Sequence, residues 1–455
     1  LGEKGNKVNF KPVQLTSLGR RFYKGQMDLF YYFYHQAINL LKDNAVSSFI
    51  TTNYFITADG AFKLRNDFKS RTSFIKLINF NELKIFETAL GQHNLITVFK
   101  KNTNGKTTEM LVSKDKSSFD LKNVSTFLDK KSNNANYFTL KRDELFEGQE
   151  AYIRFTNTSH NSDVSSIFIK ISDKSIRLDK ICNINAGIGV TISKLSTKYL
   201  LKFPDGNYKS GDGVFVINSK TSEGLENDII KNFVKNSDIS KYTYKVNKDK
   251  LIYLTRNDNL EKYPNVKNHL LKFKPILDDQ ILEYGEDFPW FALNRPRTKE
   301  VFEALDKIIL PYRSLDNTFA YSNEPIFGSR DVLYIRKKVE NLNIKYILGL
   351  LNSKLIYFWL YNKGKRKGET LELYQRPISD IPIKKFNEKI QNRLSQIVDQ
   401  ILVYKAEIRN TITLEQQIDN LIYKLYELTY DEVLVIEPEF SERMSMLEYE
   451  NLKIE

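Results

Sequence analysis

Between residues 27 and 99 the apolar residues change period several times, and no other feature of this 455-residue chain constrains its fold as much. Leu29, Phe33, Ile38 and Leu41 recur at near-helical spacing within 27–42. A strand-like run at 47–52 carries Phe49 and Ile50. It is followed by a helical stretch at 60–68, a strand-like 74–80 and a last strand-like 95–99. Strands that alternate with helices indicate an α/β sheet. The chain is too long for one ordinary core. At 41% hydrophobic and 13% aromatic residues it has material for two or three.

The pattern changes after residue 100. Residues 101–136 hold Lys-Asn-Thr-Asn-Gly, Ser-Lys-Asp-Lys-Ser-Ser and Lys-Lys-Ser-Asn-Asn-Ala-Asn runs, and read as a polar linker or insertion. Residues 137–385 show short mixed segments broken by turns such as Phe203-Pro204-Asp205-Gly206 and Ser210-Gly211-Asp212-Gly213, which suits an irregular α+β domain. Within 386–436, Ile390, Leu394, Ile397, Ile401, Tyr404 and Ile408 repeat at spacings of four and three, a helix-packing seam. The phase slips at 411–414 and resumes at Ile418, Leu421, Leu425 and Leu428. One helix with a stutter or two helices fit, packed on their own domain or on another chain. Residues 437–455 read as a solvated acidic tail.

Lys and Arg number 69 against 56 Asp and Glu, a net charge of +13. The tail carries six acids against two bases, leaving +17 over residues 1–436. Such a body attracts polyanions, although charge alone does not separate DNA from RNA or an anionic surface, or from Lys-rich composition alone. The single cysteine, Cys182, excludes an internal disulfide and suits a reducing cytoplasm. His35, His93, His160 and His269 show no zinc-site spacing, and no metal ligand set is expected. No apolar run reaches membrane-spanning length, so no membrane partner is expected. The first residues, Leu1-Gly2-Glu3-Lys4, are unlike a signal sequence and lack an initiator Met, as in a trimmed chain.

Four stretches stand in a telling order. The first is Tyr23-Lys24-Gly25-Gln26-Met27-Asp28-Leu29-Phe30 with Phe49-Ile50-Thr51-Thr52-Asn53-Tyr54-Phe55. The second joins Leu77-Ile78-Asn79-Phe80, Ile85-Phe86-Glu87 and Leu95-Ile96-Thr97-Val98-Phe99. The third runs from Ile184-Asn185-Ala186-Gly187-Ile188-Gly189-Val190 through Gly213-Val214-Phe215-Val216-Ile217 to Ser237-Asp238-Ile239-Ser240-Lys241-Tyr242. The fourth holds Asn294-Arg295-Pro296-Arg297, Lys307-Ile308-Ile309-Leu310-Pro311, Leu350-Leu351-Asn352-Ser353-Lys354, Gly364-Lys365-Arg366-Lys367-Gly368 and Ile381-Pro382-Ile383. Together they resemble the TaqI-like and Eco57I-like adenine-specific DNA methyltransferases and the type II restriction enzymes built on them.

That resemblance implies an α/β unit at 1–100, the C-terminal half of a Rossmann-like methyltransferase sheet. It also implies an α+β TaqI-like target-recognition domain at 137–385 and a helical end. The implied function is sequence-specific recognition of double-stranded DNA for N6-adenine methylation within a bacterial, cytoplasmic restriction-modification system. The family's catalytic Asn-Pro-Pro-Tyr loop and its glycine loop for S-adenosylmethionine are not found before Tyr23, and Asn-Pro-Pro occurs nowhere in the chain. No catalytic residue is therefore assigned. S-adenosylmethionine is expected on a missing N-terminal half or another chain that completes the sheet, and the fragment alone is expected to be inactive. Mg2+ enters only if a nuclease domain lies elsewhere, since no Pro-Asp with Asp/Glu-x-Lys stands in a nuclease-like context. The rival readings are a specificity subunit serving separate methylation and cleavage subunits, and a non-cleaving phage-defence relative.

The resemblance places Phe86 where the family stacks an aromatic ring on the flipped adenine, against a core Phe as the plain alternative. Gly187 and Gly189 form a lone Gly-x-Gly without the register of a nucleotide-binding turn, so they read as a loop close to DNA or as an ordinary turn. Lys363, Lys365, Arg366 and Lys367 stand against Glu369, a local +3 over residues 361–369 made pliable by Gly364 and Gly368, fit to grip phosphates or to lie solvated. Arg295, Arg297 and Arg313 are candidates for reading guanine through a guanidinium fork, or for internal ion pairs.

Overall fold

The alternation at 27–100 folds as helices and strands in the computed structural model, which describes residues 10–25, 27–86, 93–115, 120–148, 150–155, 162–246, 248–284, 288–367, 370–385 and 387–454. The chain divides into two units, Leu1–Ser162 and Asp163–Glu455, a mixed α/β architecture with several sheets. Among the described residues no helix is long and apolar enough to cross a membrane.

In the first unit, helix α1 (Phe30–Leu40), strand β1 (Val46–Thr52), helix α2 (Phe62–Arg71) and strands β2 (Ser73–Asn79) and β3 (Asn94–Lys100) follow one another. Strand β4 (Thr107–Ser113), helix α3 (Leu121–Leu128) and strand β5 (Ala135–Lys141) complete a five-stranded sheet of order β1-β3-β2-β4-β5. β3 is antiparallel to both β1 and β2, and β2 is parallel to β4, so β1, β2 and β4 point the same way. One face buries Phe74, Leu77, Leu95, Phe99 and Met110 with Tyr34, Ile38, Leu64 and Phe68 of α1 and α2. The other packs Ile78 and Leu111 with Phe80, Leu83 and Phe127 of α3.

Two expectations are corrected here. The buried face of α1 is Tyr31, Tyr32, Tyr34, His35 and Ile38, while Phe33 is 59% exposed. The polar tips have buried partners: the Tyr34 hydroxyl bonds Thr97 at 2.9 Å, and His35 Nδ1 lies 2.6 Å from Asp67, which also holds Arg71. Burial lowers the pKa of His35 despite the Asp67 carboxylate beside it. The polar linker or insertion expected at 101–136 is instead part of the sheet, because β4 is an interior strand and β5, which begins at Ala135, an edge strand. In β4 the buried Thr108 donates to Phe74 O at 3.0 Å and Glu109 pairs with Lys76 at 2.7 Å, so a polar sequence serves a buried strand.

The second unit is organised on two small sheets. Strand β6 (Cys182–Ala186) is an edge of one. Strands β7 (Val216–Ile217), β8 (Ile230–Val234) and β9 (Lys250–Ile252) belong to the other. Strand β10 (Lys307–Pro311) returns to the first. It is followed by β11 (Arg313–Ser314), β12 (Ala320–Ser322), β13 (Phe327–Gly328) and β14 (Val332–Lys337). The sheet orders are β12-β10-β14-β6 and β7-β9-β8-β13. Ile308, Leu310, Leu333 and Ile335 face one core while Ile309, Val332 and Tyr334 face the other, the period of two expected of strands buried on both sides.

Helices α4 (Ile344–Leu351) and α5 (Lys354–Lys363) lead to the hairpin strands β15 (Arg366–Lys367) and β16 (Thr370–Glu372), which join β11 in the order β11-β16-β15. The C-terminal seam resolves into two helices, α6 (Glu388–Ala406) and α7 (Ile412–Leu425), whose Leu394, Val398, Ile401, Ile418 and Ile422 share the core of α4 and α5. Helix α8 (Tyr430–Ile436) and the short α9 (Met446–Glu450) extend that core. The expected solvated tail is therefore a correction too: Phe440 and Tyr449 are buried. Glu437 accepts from Arg443 at 2.9 Å, Lys354 at 2.6 Å and the Tyr423 hydroxyl at 3.1 Å.

Candidate nucleic-acid interface

Beyond the end of β6 the chain continues as Gly187-Ile188-Gly189, buried between two turns of its own unit. Gly187 N–H donates to Val332 O at 2.8 Å, and Gly189 exchanges backbone bonds with Arg295 at 2.9 and 3.2 Å. The glycines serve close backbone approach within the fold. A Cβ on Gly187 would lie 2.1 Å from Ser329 O, and one on Gly189 2.9 Å from Arg295 Cβ.

The loop 294–297 is held from several sides. Asn294 N–H donates to Thr191 Oγ1 at 3.2 Å, and the Tyr253 hydroxyl donates to Pro296 O at 3.2 Å. On this fixed backbone Arg295 and Arg297 are exposed, and Arg297 sits at φ +62°, a conformation uncommon for residues other than glycine. Neither makes an ion pair among the described residues.

Arg313 differs. Its Nε and Nη2 donate to Glu372 Oε1 at 3.1 and 2.7 Å, and its guanidinium stands over the Tyr312 ring. Partial burial works against the charge, but the Glu372 bonds win and raise its pKa. Lys365 Nζ approaches the same carboxylate at 3.7 Å and covers Tyr374, while Arg366 stacks 3.7 Å from the Tyr361 ring centroid and Lys363 covers Phe168. The hairpin is thus a basic surface laid on aromatic rings. The backbone of Lys367 pairs with Thr370; its side chain, with Gly368 and Glu369, lies outside the described residues. Gly364 ends α5 where a Cβ would meet Leu360 O at 2.5 Å.

Phe86 belongs to the first unit. Its ring is 45% exposed in the connection after β2, not in a strand. The carboxyl ends of β1, β2 and β4 meet at this edge of the sheet. Asn53 Nδ2 donates to Asn79 Oδ1 at 3.1 Å, Asn81 N–H donates to the same oxygen at 3.2 Å, and Asn81 Nδ2 donates to Ser113 O at 2.7 Å. In open α/β sheets this is the edge that receives ligands. The sequence reading missed these asparagines and also Arg330, exposed in the turn between β13 and β14. Single polar residues in turns leave no periodic signal.

Residues 4–86 match the family described as the Eco57I restriction-modification methylase, and residues 231–383 match the TaqI-like C-terminal specificity domain. The type II methyltransferase M.MjaIV of Methanocaldococcus jannaschii is 27% identical over 282 residues, 59% of this chain and 87% of that protein. The type II methyltransferase M.HincII of Haemophilus influenzae is 28% identical over 423 residues, 87% of this chain and 75% of its own length. Among solved structures, the type IIL restriction-modification enzyme MmeI in complex with DNA shares the fold with a TM-score of 0.54 at 14% identity. The match covers 94% of this chain and 53% of that enzyme, so the chain spans about half its length.

Proposed function

We propose that this chain, which matches a restriction-modification methylase family over residues 4–86 and a TaqI-like specificity domain over 231–383, reads duplex DNA for N6-adenine methylation. The observation that carries the proposal lies inside the specificity-domain match. Arg295 and Arg297 are exposed on a backbone fixed by Gly189, Thr191 and Tyr253, and the hairpin after α5 offers further cations on aromatic rings. Arginine forks on a fixed backbone suit base edges, and the hairpin suits phosphates.

The first unit supplies the late strands of the methyltransferase sheet in this reading. The order β1-β3-β2 with antiparallel β3 supports it, and in this reading Phe86, in the connection after β2, is the ring that receives the extruded adenine. S-adenosylmethionine supplies the methyl group in methyltransferases, but the described residues do not form its cradle. A single glycine, Gly60, lies between β1 and α2, and the strand ends carry Asn53, Asn79 and Ser113. Asn-Pro-Pro-Tyr is absent from these 455 residues as well, so this reading assigns them no methyl-transferring residue.

Two measurements test the reading. Duplex binding by the chain should weaken at least tenfold between about 50 and 200 mM salt, as expected for several phosphate contacts. Co-expression with a segment carrying the catalytic loop should place N6-methyladenine in plasmid DNA. Binding indifferent to salt, or methyl groups found only on cytosine, would overturn it.

A further inference from the structure

The Gly187-Ile188-Gly189 tripeptide lies between two arginine-bearing turns. On one side Ile188 forms a parallel bridge with Ser329 and donates to Gly328 O at 2.9 Å; on the other Gly189 forms an antiparallel bridge with Arg295. Glycine at 187 and 189 lets both turns close in, since a Cβ at either position would meet Ser329 O, Asn294 Oδ1 or the Arg295 stem within 2.9 Å. Arg330 is the next residue after Ser329 and is exposed. Its turn joins the two sheets and is pinned by Ser329 N–H on Val234 O at 3.1 Å and Tyr312 N–H on Asp331 O at 2.8 Å. Among the described residues Arg330, like Arg295, makes no ion pair.

We propose that Arg330 reads the DNA target together with Arg295, the glycine tripeptide acting as the positioning element that sets their separation. The inference rests on the DNA-reading function above. The two turns flank one strand-like segment, so their backbones stand two inter-strand spacings apart, roughly 10 Å. That separation fits within the major groove, about 12 Å wide, where an arginine fork takes the two acceptors of guanine. Both backbones are fixed before DNA arrives, so ordering each arginine costs only side-chain freedom. Arg313, tied to Glu372, is excluded from the pair by the same reasoning.

The test is selection by the full chain from a randomised duplex pool, followed by titration of the enriched duplex. The parent should enrich a defined motif. Arg330→Gln and Arg295→Gln should each lose a guanine preference, at different positions, and weaken binding to the enriched duplex about 10- to 100-fold. Binding to unrelated duplexes should fall less, by roughly threefold, the loss of one phosphate-range charge. Arg330→Lys keeps the charge and the fold; it should retain unrelated binding and still lose the guanine preference. Gly189→Ala should blur the Arg295 position before the Arg330 position. If Arg330→Gln enriches the parent's motif and weakens all duplexes alike, Arg330 is a phosphate contact and the inference fails while the DNA-reading function stands. If the parent itself enriches nothing, that function fails first.

Discussion

Arg295 and Arg313 read alike in the sequence, and their surroundings part them. Removing Arg313 strips the buried Glu372 Oε1 of two charged donors, leaving the Tyr374 hydroxyl at 3.3 Å and Lys365 at 3.7 Å from the carboxylate. Discounted for the half-exposed arginine, Arg313→Ala should cost roughly 1–2 kcal/mol in urea unfolding. Arg295→Ala should stay within about 0.5 kcal/mol of the parent, as surface changes do, yet weaken duplex binding. Equal binding losses with unchanged stability in both variants would make Arg313 a DNA contact as well. The same contrast applies to two nearby phenylalanines. Phe80 is 2% exposed and packs on Phe127, whereas Phe86 is 45% exposed. Phe80→Ala should cost about 3 kcal/mol as a core truncation and Phe86→Ala less than about 1 kcal/mol. A large loss at Phe86 would return it to the core and remove it from the proposed adenine site.

At the scale of elements, the sequence displayed the helices and strands of 27–100 within a few residues, although the buried face of α1 is carried by tyrosines and Ile38 and not by Phe33. It hid β4 and β5, whose buried Thr108 and Ser113 and paired Glu109 look like solvent residues until their partners are known. It hid the folding of 437–454 for the same reason: Glu437 is paired inside with Arg443 and Lys354, and Glu448 closes a capping box with Ser445 at the start of α9. The sites divide likewise, since the charge run at 363–367 is visible in one dimension while the union of Gly189 with Arg295 joins residues far apart in sequence. One element carries a pH-dependent load. Asp419 of α7 accepts from Lys354 N–H at 2.8 Å at the start of α5, and burial, aided by nearby Glu437, lifts its pKa to about 7 against Lys354 and Lys241. The folded state keeps this proton where the unfolded chain gives it up. Stability therefore falls as pH rises from about 4 to about 7 and stays lost above that. Asp419→Asn preserves the acceptor and removes the titration. Relative to the parent it should gain stability at pH 8, by up to ~4 kcal/mol, and gain nothing near pH 4. A stability difference independent of pH would show that Asp419 is ionised in the fold.

At the scale of the molecule, the question is which unit carries the affinity for DNA. Net charge does not answer it, since most cations in any basic protein are solvated or paired. The distribution of partners is more informative: Arg295, Arg297 and Arg330 lack ion pairs among the described residues, and the hairpin cations rest on rings, all within 163–455. That unit also closes its own cores. Among the described residues the two large clusters draw on residues from Ile167 onward, and those of the first unit on residues up to Phe155. A polypeptide of residues 163–455 should therefore unfold cooperatively and bind duplex DNA with a salt dependence close to the full chain's, within one unit of the log–log slope. Within it, Lys363→Ala with Arg366→Ala should lower that slope by about 1–2 and weaken all sequences alike, because phosphate contacts carry no base information. Binding that vanishes in the separated unit would assign the phosphate grip to residues 10–155, whose sheet edge would then hold DNA rather than receive a single base.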